Sequence, residues 1–241
     1  MNRIDRQFLH LRKNNKKAFI AFITCGYPNL KVTEMLVKEL ARNSVDIIEL
    51  GVPFSDPMAD GPLIQEASQS ALKKNVNLPD ILRMVKRLRK QVDIPLCLMT
   101  YYNPIFCFGP EKFAKAASAC GVDGVIVPDL TLEEAKPFIR AMSGFGLEVI
   151  LFIAPTTALK RIRVISRMAK GFIYYVSLTG VTGPRQNLPH DLAAKLRQIK
   201  KITRKPVCVG FGVAGKEQVR QVYKISDGVI VGSAIIRKIK E

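Results

Sequence analysis

Two carboxylates in unlike settings stand out in the run Ile48-Glu49-Leu50-Gly51-Val52-Pro53-Phe54-Ser55-Asp56-Pro57-Met58-Ala59-Asp60-Gly61. Glu49 lies near the end of an apolar stretch, residues 45–50, that reads as a buried strand, where an ionised side chain costs roughly several kcal/mol in desolvation. Asp56 and Asp60 ride on a segment broken by Gly51, Pro53, Pro57 and Gly61, which forbid regular structure and lead into a helix near Pro62. A strand-end carboxyl of raised pKa facing an ionised carboxylate on a wetter loop divides the labour of proton transfer and charge stabilisation. Both residue types also have plain structural uses, the Glu as a salt-bridge partner and the Asp in an Asx-turn.

The elements that must position these groups follow from hydrophobic patterning. Eight short apolar runs occur at residues 18–24, 45–50, 95–101, 124–127, 148–153, 172–176, 206–209 and 228–231. Helical segments separate them, at 63–73, 79–91, 111–119, 132–143, 158–169, 191–202 and 216–225, and the turn Gly26-Tyr27-Pro28-Asn29 opens another that runs to Arg42. Near-continuous apolar strands alternating with helices predict a parallel sheet covered on both faces. Asp123-Gly124-Val125-Ile126-Val127 recurs four strands later as Asp227-Gly228-Val229-Ile230-Val231. A closed eight-fold barrel with related halves accounts for that recurrence, and an open doubly wound sheet does not. An amphipathic segment at residues 4–11, with Phe8 and Leu11 at helical spacing, is placed to plug the bottom of the barrel.

In such a barrel the active site lies at the carboxyl ends of the strands. Alternation puts Glu49 on one face with Ile47 and Val45, and that face is assigned to the interior. Tyr101 ends the third strand and Asp129 follows the fourth. Gly210-Phe211-Gly212 and Gly232-Ser233 follow the seventh and eighth, where glycine turns and a helix amino terminus suit a phosphate group. The long glycine-rich segment at 177–189, after the sixth strand, reads as a lid.

The run from Ile48 to Gly61 resembles the signature of the tryptophan synthase alpha-chain family, and the similarity extends to about Lys240. The resemblance implies cleavage of indole-3-glycerol phosphate to indole and glyceraldehyde 3-phosphate, with Glu49 and Asp60 as the two catalytic residues. It implies an indole site among Phe22, Met99, Ile126, Tyr174 and Phe211, with Tyr101, Asp129 and Thr182 supporting the carboxylates. Phosphate would fall to Gly183, Gly212, Val213, Gly232 and Ser233, and the Gly-Val-Thr-Gly core of residues 180–183 matches the family's mobile sixth loop. No cofactor or metal is implied for this chain. Pyridoxal phosphate is expected only in a partner, the beta chain of an alpha-beta-beta-alpha heterotetramer, with contacts at residues 53–58, including Asp56, and at the Asn103-Pro104 loop. Set against the family, the chain lacks the usual final carboxyl-terminal helix, which could expose apolar surface unless residues 234–240 compensate. The expected fold is thus a single (β/α)8 TIM barrel over residues 1–241 with an extra amino-terminal helix.

Composition narrows the alternatives. The chain has 241 residues, 48% hydrophobic, with no stretch resembling a membrane span and a polar amino terminus without a signal-peptide core, so a cytoplasmic location is expected. Cys25, Cys97, Cys107, Cys120 and Cys208 form no C-x-x-C pair, and His10 and His190 are too few for a histidine triad or a His-ligated zinc site. A formal charge of +18 favours acidic partners, but the basic residues are spread over helix-like segments without interleaved aromatics, which argues against a nucleic-acid stripe. The rival readings are a non-catalytic subunit that activates a beta chain and another phosphate-binding barrel lyase or isomerase.

Overall fold

The computed structural model describes residues 1–176, 191–210, 213 and 215–241. In chain order the elements are α1 (Arg3–Lys13), β1 (Ala18–Thr24), α2 (Leu30–Arg42), β2 (Ile47–Gly51), α3 (Pro62–Leu72), α4 (Leu78–Leu88), β3 (Leu96–Met99), α5 (Tyr102–Phe108), α6 (Pro110–Cys120) and β4 (Gly124–Ile126). They continue with α7 (Ala135–Gly144), β5 (Glu148–Ile153), α8 (Leu159–Met168), β6 (Ile173–Val176), α9 (Leu192–Ile202), β7 (Val207–Gly210), α10 (Lys216–Ile225), β8 (Gly228–Val231) and α11 (Ser233–Lys240). The eight strands pair in sequence order, all parallel, and β8 closes on β1. This is a (β/α)8 barrel.

Period-two alternation sorts the strand residues into two layers. Ile20, Phe22, Ile47, Cys97, Met99, Ile126, Ile150, Tyr174, Cys208 and Ile230 fill the interior. Their neighbours Ala21, Ile23, Ile48, Leu50, Leu98, Val125 and Val209 face outward under the helices. Ile4, Phe8 and Leu11 of α1 join the interior cluster, with Phe8 and Phe172 ring centroids 5.7 Å apart, so α1 plugs the amino-terminal end as its spacing predicts. At the other edge of the chain α11 packs Ala234, Ile235 and Ile239 on the outer core and buries Ile236, and Lys240 reaches Glu66 of α3 at 2.6 Å.

The repeated pentapeptide has a physical basis. Asp123 Oδ2 accepts the Leu96 N–H at 2.9 Å, and Asp227 Oδ2 accepts the Val207 N–H at 3.0 Å, so each carboxylate ties down the start of the preceding strand. The glycines match too. A Cβ at Gly124 would come within 3.2 Å of Cys97 Sγ, and one at Gly228 within 2.8 Å of Cys208 Sγ, each from the register partner on the preceding strand. Asp46 repeats the device at β1, accepting the Phe19 N–H at 2.7 Å.

That third instance corrects one expectation. Val45 does not share the interior face with Glu49: β2 starts only at Ile47, and Val45 turns outward into the helical layer, its N–H bonded to Leu40 of α2. Asp46 sets the strand start. A second correction concerns Asn103 and Pro104, which lie in the short helix α5 rather than a loop, because the Asp129 carboxylate accepts the Tyr102 N–H and orders its first turn. Cys25, Cys97 and Cys208 are buried thiols, whereas Cys107 is exposed. No helix among the described residues is long and apolar enough to cross a membrane.

Candidate active site

Glu49 projects into the barrel from the middle of β2, in register with Phe22 on one side and Cys97 on the other. It is completely buried, and neither carboxylate oxygen has a hydrogen-bond partner among the described residues. Burial alone pushes its pKa up to about 8. An acid in that state carries its proton at neutral pH and can both donate and recover it.

Asp60 arrives on the loop between β2 and α3. The loop folds back under Tyr101, whose hydroxyl accepts the Ala59 N–H at 2.9 Å and donates to Asp60 Oδ2 at 3.1 Å. Phe54 stacks on the Tyr101 ring at 5.2 Å, and Ser68 of α3 fixes Phe54 by accepting its N–H and donating to its carbonyl. The expectation of a wet Asp60 is therefore wrong. It is only 8% exposed, and burial raises its pKa to about 6 against the opposing pull of the Tyr101 hydrogen bond. The two carboxyls still titrate in the order that separates an acid from an anion: near pH 7 Glu49 is protonated and Asp60 ionised.

Phe22, Met99, Ile126 and Tyr174 line the interior with Glu49, as buried neighbours of one cluster. The phenol of Tyr174 is pushed well up by burial first and then by the charges of Glu49 and Asp60, so it lies within electrostatic reach of both. Asp129 is turned differently. It is exposed, and its carboxylate accepts the Tyr102 N–H at 2.9 and 3.1 Å, so its visible work is to hold α5 rather than either carboxyl. At the barrel's other side Gly232 precedes the first turn of α11, Ser233 begins that helix, and the Val213 side chain is buried in the outer layer. Thr182, Gly183, Phe211 and Gly212 lie outside the described residues.

Some contributors escaped sequence reasoning. Gly51 is one: a Cβ there would sit 2.6 Å from Phe22 Cζ, and one at Gly232 would sit 3.1 Å from Phe22 Cδ1, so two glycines make room for one ring. Phe152, whose ring lies 4.9 Å from Tyr174, could have been found by extending the β5 alternation from Ile150. Phe54 and Ser68 carried no local signal, because their contacts join a loop to a helix fourteen residues on.

The comparisons with known proteins converge. A family model described as tryptophan synthase alpha chain matches residues 8–241. The tryptophan synthase alpha chain of Geotalea daltonii is 47% identical over 241 residues, covering 100% of this chain and 91% of that protein. That of Geobacter sulfurreducens is 48% identical over 237 residues, covering 98% and 90%. Among solved structures, tryptophan synthase subunit alpha from Legionella pneumophila superposes with a TM-score of 0.92 at 40% identity, covering 98% of this chain and 88% of that one. A chain of the tryptophan synthase complex from Pyrococcus furiosus gives a TM-score of 0.85 at 39% identity, covering 92% and 90%.

Proposed function

The chain belongs to the tryptophan synthase alpha-chain family, and from that premise we propose how its own residues carry out the family's reaction. It is a lyase that cleaves indole-3-glycerol phosphate to indole and glyceraldehyde 3-phosphate in tryptophan biosynthesis. The observation that carries the assignment of roles is the unlike setting of two carboxyls: Glu49 inside the barrel without a hydrogen-bond partner among the described residues, Asp60 held by Tyr101 at its mouth.

Protonated Glu49 gives its proton to C3 of the indole. Positive charge then develops on the ring nitrogen, whose N–H donates to ionised Asp60, and that hydrogen bond strengthens as the charge grows. The Glu49 carboxylate just formed removes the proton of the glycerol hydroxyl next to the scissile bond. The carbon–carbon bond breaks, its electron pair restores the aromatic indole, and the hydroxyl carbon becomes the aldehyde. Glu49 ends as it began, protonated. The interior apolar side chains Phe22, Met99, Ile126 and Tyr174 accept the indole, with Phe211, while the amino terminus of α11 at Gly232 and Ser233, with Gly183, Gly212 and Val213, holds the phosphate. Thr182 is assigned to support Asp60 by the family's loop pattern, and Asp129 keeps Tyr101 in place through α5.

This chemistry needs no cofactor in the alpha chain; pyridoxal phosphate belongs to the beta chain, with which the family's alpha chains form a complex. We assign its contact surface to the loop bearing exposed Asp56 and Met58 and to α5 with exposed Phe106, which follow β2 and β3 at the same barrel end as the carboxyls. Residues 1–241 are read as one barrel domain, because every strand among the described residues belongs to one closed sheet, and the location as cytoplasmic. The deciding experiment is indole release from indole-3-glycerol phosphate, with and without a beta chain. Release in both supports this function; activation of a beta chain with no indole release in either would make the chain a non-catalytic subunit.

A further inference from the structure

A cavity of about 760 Å³ opens at the opposite end of the barrel from Glu49 and Asp60. Its walls are α8, the last turn of α9 and the segments that enter β6 and β7, with Gly171 two residues before β6 and Pro206 directly before β7. Since all strands run parallel, this is the amino-terminal end. Arg163, Arg167, Lys201, Arg204 and Lys205 line it, against a single acidic lining residue, Asp5 of α1.

Some cations elsewhere on the surface hold ion pairs. Arg3 pairs with Asp93 and Asp123, Arg89 with Asp123, Lys200 with Asp227, and Arg161, on the same helix as Arg163 and Arg167, with Glu133. None of the five cavity cations holds an ion pair with a described carboxylate. Ser166 lines the same cavity with a buried hydroxyl that has no hydrogen-bond partner among the described residues. Behind the wall, a Cβ at Gly171 would collide with Glu148 Oε2, a buried oxygen without a hydrogen-bond partner among the described residues. Burial first and Asp5 next push the Glu148 carboxyl up, with Lys205 and Lys170 opposing, so it is a poor counter-ion for the cations in front of it.

We propose that this cavity is a binding site for a small polyphosphorylated anion, separate from the substrate's phosphate site. Five cations with one carboxylate among them match several negative charges, more than a monophosphate brings, and arginines offer forked donors to adjacent phosphate oxygens. The volume lies in the range of small-ligand sites, roughly 300–1,000 Å³. No aromatic residue lines it, so it lacks the stacking platform of a single-strand groove.

The test uses tripolyphosphate and ATP as probes, titrated by calorimetry into the intact chain and into the double variant Arg167→Glu, Arg204→Glu. Both positions are exposed, so the fold should tolerate the change, and both lie outside the catalytic machinery. The expected result is saturable binding of tripolyphosphate to wild type, weakened at least tenfold in the variant, with indole release unchanged. A preference for ATP over tripolyphosphate identifies a nucleotide ligand, and equal affinities a bare polyphosphate; either supports the site. Absence of tripolyphosphate binding, equal binding by wild type and variant, or much tighter capture of a single-stranded oligonucleotide through the same two arginines would overturn it.

Discussion

The Tyr101 hydroxyl donates to Asp60 Oδ2 across 3.1 Å while accepting the Ala59 N–H at 2.9 Å. One phenol thus fixes both the carboxylate and the backbone that carries it. Tyr101→Phe keeps the ring and its stack on Phe54 but deletes the donor that holds the Asp60 pKa down. Asp60 should then ionise above its present value of about 6, and the acidic limb of kcat/KM against pH should move to higher pH. The loss of rate should be larger at pH 6 than at pH 8. A limb that stays in place would separate Tyr101 from the ionisation of Asp60.

Glu49→Gln preserves shape and removes the exchangeable proton. Turnover should fall by about 10²–10⁴-fold, the range for a lost general acid or base, with substrate still bound in calorimetry. In the wild type the rate should decline as pH rises through about 8, where Glu49 loses its proton. More than about a tenth of the wild-type turnover remaining in Glu49→Gln would exclude the assigned role.

The same burial makes stability depend on pH. Both carboxyls titrate higher in the folded chain than an ordinary carboxyl, so the folded state binds more protons than the unfolded one between about pH 4 and pH 8. Stability attached to these groups is complete below the ordinary carboxyl range and is lost as pH rises through their folded values of about 6 and 8. Urea midpoints measured from pH 5 to pH 8.5 should fall less steeply for Glu49→Gln than for wild type, leaving the variant the more stable of the two at the alkaline end. Parallel curves would mean that Glu49 is not held neutral by the fold.

Gly51→Ala tests the room made for Phe22. The new methyl would start 2.6 Å from the ring and must displace it, at a cost of about 1–3 kcal/mol in stability. Because Phe22 lines the interior beside Glu49, KM for indole-3-glycerol phosphate should rise as well. An unchanged KM with lowered stability would take Phe22 out of the indole site.

The eight strands were legible because each is a short run of apolar residues, a pattern that reflects burial on both faces and needs no knowledge of neighbours. The interior placement of Ile47 and Glu49 followed from alternation, but Val45 did not, since Asp46 ends the extended geometry by bonding sideways to Phe19. The helix α5 was missed because Pro104 and the residues after it look like loop, while the cap that orders it comes from Asp129, twenty-seven residues on. Asp60 misled for a related reason. Proline, glycine and polar residues usually mark wet chain, and only the packing of Phe54 and Tyr101 reveals that this loop is folded shut. Site features built by one strand were readable; those built between segments were not.

The plug at the barrel bottom sets an order of events during synthesis. Asn2 donates to the carbonyls of Asp123 and Gly146, 121 and 144 residues further along, and Phe8 rests on Phe172. α1, which precedes every strand of the barrel, therefore has nowhere to seat until residues 123, 146 and 172 have followed it. Before that contact forms, the interior residues that Ile4, Phe8 and Leu11 cover in the folded barrel lack this cover. Association through exposed apolar surface is therefore favoured before closure rather than after it.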